Sequence, residues 1–261
     1  MTDVTALAAA FVDANRRRRD FSAPWGDSTP SLADAYRIQD AVLDGLAAER
    51  GPLGGYKIAI TAEPMQHLMG LTDPLGGLVH AGEIHRSPHT LSIGDYHSPA
   101  IEFEVAVLIG GDVPVSLEPY TIDTIAPYAA AVSASFEIID TRGGDLAAIG
   151  AAGLVADRCL CSGMVVGDGV RDTAGLDLGS CPVELVWNDE IVETGIAGAA
   201  MGHPFAGLAW VANHVQDRGR SLVAGHHVLT GSAFAPRPVS VGDAITYRIE
   251  GVGEATIEVV A

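Results

Sequence analysis

The stretch Pro99–Gly111, PAIEFEVAVLIGG, decides how this chain folds. A β-strand sends successive side chains to opposite faces. Ile101, Phe103, Val105 and Val107 therefore share one face, and Glu102 and Glu104 share the other. Two carboxylates side by side repel each other, and burial without a partner forces such groups to take up protons. A divalent cation with hard oxygen ligands removes both penalties. A solvent-exposed strand face is the competing reading; the apolar run VAVLI argues for burial.

A second strand of the same kind lies at Val132–Arg142, VSASFEIIDTR, with Glu137 among apolar residues and Asp140 and Arg142 after it. Three oxygen ligands from two adjacent strands suit magnesium or manganese, which keep open positions for water and substrate. No cysteine or histidine stands at zinc-ligand spacing beside them.

Outward from these strands the pattern is α+β. Residues 5–19 read as a helix. A second helix, SLADAYRIQDAVLDGLAAERG, has Ser31 as its cap and Gly51 as its stop. Strand character begins with GYKIAI at 55–60, and a short helix follows with Thr61 as its cap. Further strands are expected at 76–84, 99–109, 130–140, 159–166, 226–230, 244–250 and 252–259. A hairpin at 183–188 and 191–195 turns on Asn188-Asp189. A helix is expected near 119–129. Pro204–Gly219 reads as a buried helix with proline in its first turn. Helices followed by mostly antiparallel strands predict a helical region over 1–53, as an appendage, and one continuous β-rich catalytic core over 54–261.

The 261 residues carry a net charge of −18, with 33 acids against 15 bases. That balance excludes nucleic acid as a partner, because affinity there comes from neutralising phosphates. Arg16–Arg19 is the one basic cluster, read as a solvated helix end. Thr194–Gln216 has no Asp, Glu, Lys or Arg, but Gly202-His203-Pro204 and Asn213 break it, so no membrane span is expected. MTDVTALAAA lacks a basic start and does not read as a secretory leader. Cys159 and Cys161, two apart, are expected on one strand face. With Cys181 they read as free thiols of a cytoplasmic protein.

Of the 15 bases, 14 are arginine; the single lysine is Lys57. A chain that uses arginine for every other cation has a chemical reason to keep lysine at one position. A compact ammonium with a tunable pKa is such a reason.

In order along the chain, GYKIAIT, IEFEVAVLI, FEIIDTR, GIAGAAMGHPFAGLAWVAN, HHVLTGS and VSVGDAITYRIEGVGEATIEV resemble the hydratase/decarboxylase branch of the fumarylacetoacetate hydrolase superfamily. That branch includes the 2-keto-4-pentenoate hydratases and the 4-oxalocrotonate decarboxylases. The resemblance implies an α+β fold around a rolled, mixed β-sheet and a Mg²⁺ or Mn²⁺ cofactor. It also implies a small 2-oxo or 2-hydroxy-enoic acid substrate and assembly as a homo-oligomer. It places the metal pair on Glu102 and Glu104 and the third ligand on Glu137. It gives Lys57 and Glu102 the catalytic roles, and Thr230, Gly231 and Ser232 the substrate carboxylate.

The substrate-facing loops depart from the family pattern. Where P-D-[YF]-G is usual, this chain has Pro74-Leu75-Gly76-Gly77, and the aspartates that often follow are Ala81-Gly82. D-N-x-S-S-G becomes Asp157-Arg158-Cys159-Leu160-Cys161-Ser162-Gly163, and D-W-K-I becomes Asp145-Leu146-Ala147-Ala148.

The resemblance implies addition of water to a 2-hydroxy-2,4-dienoate, with the metal as a Lewis acid at the C2 oxygen. Decarboxylation of an oxalocrotonate-like acid uses the same electron sink. Two readings stand beside these: Lys57 as a Schiff-base nucleophile, and a non-catalytic, metal-stabilised binding protein. The hydrolase branch would need a Glu–His pair. His67, His80 and His203 are the candidates, each read as structural.

Overall fold

The computed structural model describes residues 2–173 and 175–261, with Ala147 described by its backbone. Helix α1 is Val4–Arg16, and Asp3 caps it by accepting from the Ala6 N–H. Helix α2 is Leu32–Arg50. Ser31 accepts from the Asp34 N–H at its start, and Gly51 stops it with a φ of 82°. There follow β1 (Leu53–Ala59), α3 (Glu63–Leu68), β2 (Leu75–His80), β3 (Ile84–Arg86), β4 (His89–Ser92) and β5 (Pro99–Ile109). Next come α4 (Ile122–Ile125), β6 (Ala129–Asp140), α5 (Leu146–Ala156), β7 (Cys161–Val166), β8 (Pro182–Trp187) and β9 (Glu190–Ile196). The chain closes with α6 (Pro204–Asp217), β10 (His227–Ser232), β11 (Arg237–Pro238), β12 (Ala244–Ile249) and β13 (Gly253–Val260).

The strands form two mixed sheets. One has the order β2-β1-β10-β5-β6-β7-β3, with β11 added beside β5; the other is β4-β13-β12-β8-β9. The apolar face of β5 and β6 (Ile101, Phe103, Val105, Phe136, Ile138) packs against Ile245, Tyr247 and Ile257 of the second sheet and against α6 in one cluster. Phe103 meets Phe136 edge-on at 6.0 Å and Tyr247 at 5.9 Å. This packing faces the carboxylates of β5 and β6 toward the inside of the first sheet, which rolls around them.

Helix α2 packs against this roll. The buried Gln39 amide donates to the carbonyls of Gly76 (3.0 Å) and Val155 (2.7 Å), tying α2 to β2 and α5. Ala35 joins Leu75, Cys159 and Leu160 in one apolar cluster. The Arg16–Arg19 cluster is exposed, with Arg16 paired to Glu49 and Arg17 and Arg19 to Asp13.

Several local expectations are corrected. The strand expected at 76–84 is broken by a 3-10 turn at Ala81–Glu83, where the Glu83 carboxylate accepts the His80 N–H. The helix near 119–129 shrinks to α4 and a 3-10 turn containing Pro127, which cannot donate to a longer helix. Thr61 does not cap α3; Ala62 holds that position without a side-chain bond. The strand expected at 159–166 begins only at Cys161, because Arg158–Leu160 form a left-handed turn. Cys159 and Cys161 therefore share no strand face, although both thiols, like that of Cys181, are free and buried. Helix α5, LAAIGAAGLVA, went unpredicted. Its apolar residues surround the helix with no polar face to give a period, and Gly150 interrupts it at φ 65°.

Candidate metal centre

The β5–β6 register sets Glu102 directly opposite Glu137, with Glu104 two residues along on the same face. One carboxylate oxygen from each of the three lies within 4.8 Å of the others. Glu104 and Glu137 are 1% and 0% exposed, and Glu102 is half-buried. Lys57 enters from β1, itself buried, and its Nζ lies 3.1 Å from Glu137 Oε1.

Glycine 231 orients one of these acids. Its N–H donates to Glu104 Oε2 at 2.6 Å, from a bulge between the Leu229 and Ser232 pairings of β10 with β5. The residue has φ 109°, and a Cβ there would stand 2.7 Å from the Ala200 Cβ, so no other residue fits.

The donor set fits a divalent cation. Glu104 Oε1 and both Glu137 oxygens are buried without an aligned hydrogen bond, and the Lys57 contact is an ion pair by distance only. Burial, reinforced by Glu137 and Glu102, holds the Glu104 carboxyl well above the usual carboxylate range. Burial likewise pushes Glu137 up to about 8, against the pull of Lys57 and with a further push from Glu102. Burial alone would lower the Lys57 pKa, but attraction to Glu137 and Glu102 outweighs it and the net shift is upward. One ammonium faces three carboxylates, so the site lacks positive charge. An oxygen-liganded Mg²⁺ or Mn²⁺ would supply it through otherwise unpartnered oxygens.

A cavity of about 120 Å³ opens beside the acids. Its polar lining is Lys57, Thr61, Glu102, Glu104, Gly231 and Ser232, and its apolar lining includes Ile60, Ile139, Leu146, Leu154, Leu160 and Pro236. Among the described lining residues Lys57 is the one cation.

The three residues expected at the substrate carboxylate divide. Gly231 and Ser232 line the cavity; Thr230 does not. The strand bulges between Leu229 and Ser232, which breaks the alternation of faces, and the buried Thr230 hydroxyl donates to the Val105 carbonyl instead. The Ser232 hydroxyl accepts from the Phe103 N–H (2.9 Å) and donates to the Phe234 carbonyl (2.8 Å), so its own proton is already committed.

Over 255 residues the chain is 31% identical to 2-keto-4-pentenoate hydratase 1 of Dechloromonas aromatica (strain RCB), covering 97% of this chain and 95% of the relative. It belongs to the hydratase/decarboxylase branch of the fumarylacetoacetate hydrolase superfamily. Another member of this branch, 2-hydroxyhexa-2,4-dienoate hydratase of Comamonas testosteroni, is 28% identical over 240 residues, 90% of each chain. The solved 4-oxalocrotonate decarboxylase from Pseudomonas putida G7, complexed with magnesium and adipate, superposes with a TM-score of 0.91 at 25% identity, covering 100% of this chain and 99% of that one. No family model matches the sequence.

Of the altered family positions, Leu146, Cys159 and Leu160 line the cavity. Leu75, where the branch commonly has an aspartate, is buried in the apolar cluster with Cys159 and Leu160. A side chain at Gly76 would meet the His214 ring at 2.7 Å, so histidine on α6 occupies the space that a side chain at this position of β2 would need. None of the three histidines considered above pairs with a glutamate for water activation. His80 is buried with Nδ1 on the Gly51 carbonyl, His203 caps α6, and His67 is exposed. Sequence reasoning missed Glu83 and the role of Arg158, which form a buried ion pair at 2.6 Å. Arg158 replacing the family asparagine was the one available signal.

Proposed function

We propose that this chain is a divalent-metal-dependent lyase that adds water to a short 2-hydroxy-2,4-dienoate to give a 4-hydroxy-2-oxo acid. The observation that carries this reading is the cavity: the Glu102 and Glu104 carboxylates and the Lys57 ammonium line it together with apolar Ile60, Ile139, Leu146, Leu154 and Leu160, and Glu137 stands beside the two acids. A monocarboxylate with a hydrocarbon tail matches that lining. An oxalocrotonate-type dicarboxylate would bring its second carboxylate to an apolar wall, a costly desolvation without a partner. The catalytic region is residues 54–261, covered by the helices of 1–53.

Glu102, Glu104 and Glu137 would hold the metal, which when bound supplies Lewis acidity at the substrate's C1 and C2 oxygens. The Gly231 N–H keeps Glu104 turned toward the other two acids. Lys57 Nζ, held by Glu137, carries the proton that moves to or from the substrate's dienol carbon framework. Glu102 is the least buried of the three acids and so the one that reaches water; it orients the water that adds at C4. The apolar wall keeps bulk solvent from the rest of the conjugated chain.

The decarboxylase reading is favoured by the superposition on 4-oxalocrotonate decarboxylase. One assay separates the two. With magnesium and 2-hydroxypenta-2,4-dienoate, the hydratase reading expects loss of the dienol absorbance and formation of 4-hydroxy-2-oxopentanoate. An inert dienoate together with release of CO₂ from 4-oxalocrotonate overturns it.

A further inference from the structure

Three consecutive non-glycine residues, Arg158, Cys159 and Leu160, have φ of 54°, 53° and 64°. L-residues avoid this left-handed region, and a run of three persists only when surrounding contacts hold it. The Arg158 side chain makes one such contact. It is 1% exposed, and its guanidinium grips Glu83 with both ends, Nη1 to Oε2 at 2.6 Å and Nη2 to Oε1 at 3.2 Å. Arg50, in the last turn of α2, holds the same carboxylate at 2.8 Å. Glu83 is thus fixed from two sides before it holds the turn.

The turn in turn shapes the cavity. Cys159 and Leu160 line it, and the Cys159 thiol donates to the Gly76 carbonyl at 3.5 Å. A Cβ on Gly77 would lie 2.7 Å from the Arg158 carbonyl oxygen, and 2.8 and 2.9 Å from Cγ and Cδ of Lys57. The lysine stem and the turn's backbone therefore close on the same bare stretch of β2 from two directions. A shift of the turn opens space beside Lys57.

We infer that Arg158 is a positioning residue: its two-pronged grip on Glu83 clamps the left-handed turn 158–160, and the turn holds the Lys57 stem and the cavity's Cys159–Leu160 wall in place. The inference rests on the proposed hydratase reading for its kinetic part only. Arginine suits the task because a planar fork spans both carboxylate oxygens, which a lysine cannot do.

The test uses the full-length protein and its Arg158→Met and Arg158→Lys variants, with two readouts. The first is the rate at which iodoacetamide labels Cys159 in the folded protein, resolved by peptide mass spectrometry, with Cys161 and Cys181 as internal references. The second is turnover of 2-hydroxypenta-2,4-dienoate with magnesium. Arg158→Met is expected to label at Cys159 at least tenfold faster, with Cys181 unchanged, and to lose at least tenfold in kcat with a smaller change in KM. Arg158→Lys keeps the buried charge and the fold, and is expected to fall between. If Arg158→Met does not fold, the lysine variant carries the same two readouts. Folded variants with wild-type Cys159 labelling and wild-type kcat overturn the inference. If the wild-type protein itself leaves the dienoate unchanged, the functional reading fails, and the labelling result alone decides the clamp.

Discussion

Lys57 Nζ and Glu137 Oε1 stand 3.1 Å apart, although β10 and β5 lie between their strands. In a flat sheet, three inter-strand spacings of about 4.8 Å would separate the two backbones by roughly 14 Å. Strand side chains stand roughly perpendicular to the sheet, so a sheet rolled toward this face is what brings the two together. Replacing Lys57 with arginine keeps the charge but adds bulk where the stem already passes Gly77. Lys57→Arg is expected to fold, by circular dichroism, and to lose about 10²–10⁴-fold in kcat, the range of a positioned proton-transfer group. Folded Lys57→Arg with wild-type turnover would remove the lysine from the chemistry.

Glu104→Gln should separate metal binding from stability. Burial, reinforced by Glu137 and Glu102, holds the wild-type carboxyl well above the usual carboxylate range, so a neutral amide of the same shape spares the metal-free fold the cost of an ionised group there. The variant's Tm without metal is expected to equal or exceed the wild-type value, each ~1 kcal/mol gained raising it by roughly 2–4 °C. Its magnesium affinity by calorimetry should fall at least about tenfold, and activity with it. Activity retained at full metal occupancy would show that Glu104 is not a ligand.

The raised carboxyls also give metal binding a pH dependence. In the metal-free protein Glu137 is pushed up to about 8 by burial, opposed by Lys57 and aided by Glu102. A ligand must be ionised to bind, so binding below that pH displaces protons. Magnesium affinity should therefore rise as pH increases from 5 toward about 8, with proton release detectable as a buffer-dependent calorimetric enthalpy. The protonated forms favour the metal-free fold at low pH, and that contribution is lost as pH rises through the folded pKa. The Tm gain on adding magnesium should accordingly be larger at pH 8 than at pH 6. A flat affinity across this interval would show that the acids are already ionised.

The pair Glu83–Arg158 predicts the opposite dependence. Burial raises the Glu83 pKa, but Arg158 and Arg50 overcome it and bring the carboxyl down to about 2. A depressed carboxyl contributes stability above its unfolded pKa and loses it as pH falls through the folded one. Wild-type stability should thus drop between about pH 4.5 and pH 2. Glu83→Gln should be less stable at pH 6 and show a shallower fall over that interval, measured by urea unfolding. Parallel curves for the two proteins would assign the acid transition to other groups.

The acids and the lysine were legible in the sequence because each breaks a local rule. Glu102, Glu104 and Glu137 are charged residues in apolar strands, and Lys57 is a lone lysine in an arginine chain. Period 2 alone put Glu102 and Glu104 on one face, and the register of β5 with β6 carried Glu137 to them. That Lys57 reaches Glu137 depends on the roll of the sheet, a long-range property with no local pattern. Thr230 lies off the cavity lining because β10 bulges between Leu229 and Ser232, an irregularity that no sequence pattern announces. The turn at Arg158–Leu160 was unreadable because three non-glycine residues in left-handed backbone contradict local preference, and Glu83, which stabilises it, lies 75 residues away.

The apolar wall predicts how substrate choice can be moved. Leu146 lines the cavity yet is 37% exposed, so it stands at the mouth, where a charge would remain hydrated. Leu146→Arg places a guanidinium there without burying it and gives a second carboxylate a partner. The variant is expected to keep wild-type stability, because it alters no enclosed packing. Its kcat/KM ratio for a dicarboxylate 2-hydroxy-dienoate over 2-hydroxypenta-2,4-dienoate should rise about tenfold, the effect of ~1.4 kcal/mol from one charge-assisted contact. Part of that change should come from weaker handling of the monocarboxylate, whose apolar tail would then approach a charged group. An unchanged ratio in a folded variant would mean that the tail does not point toward Leu146. The residues to test next would then be Leu154 and Ile139, which also line the cavity.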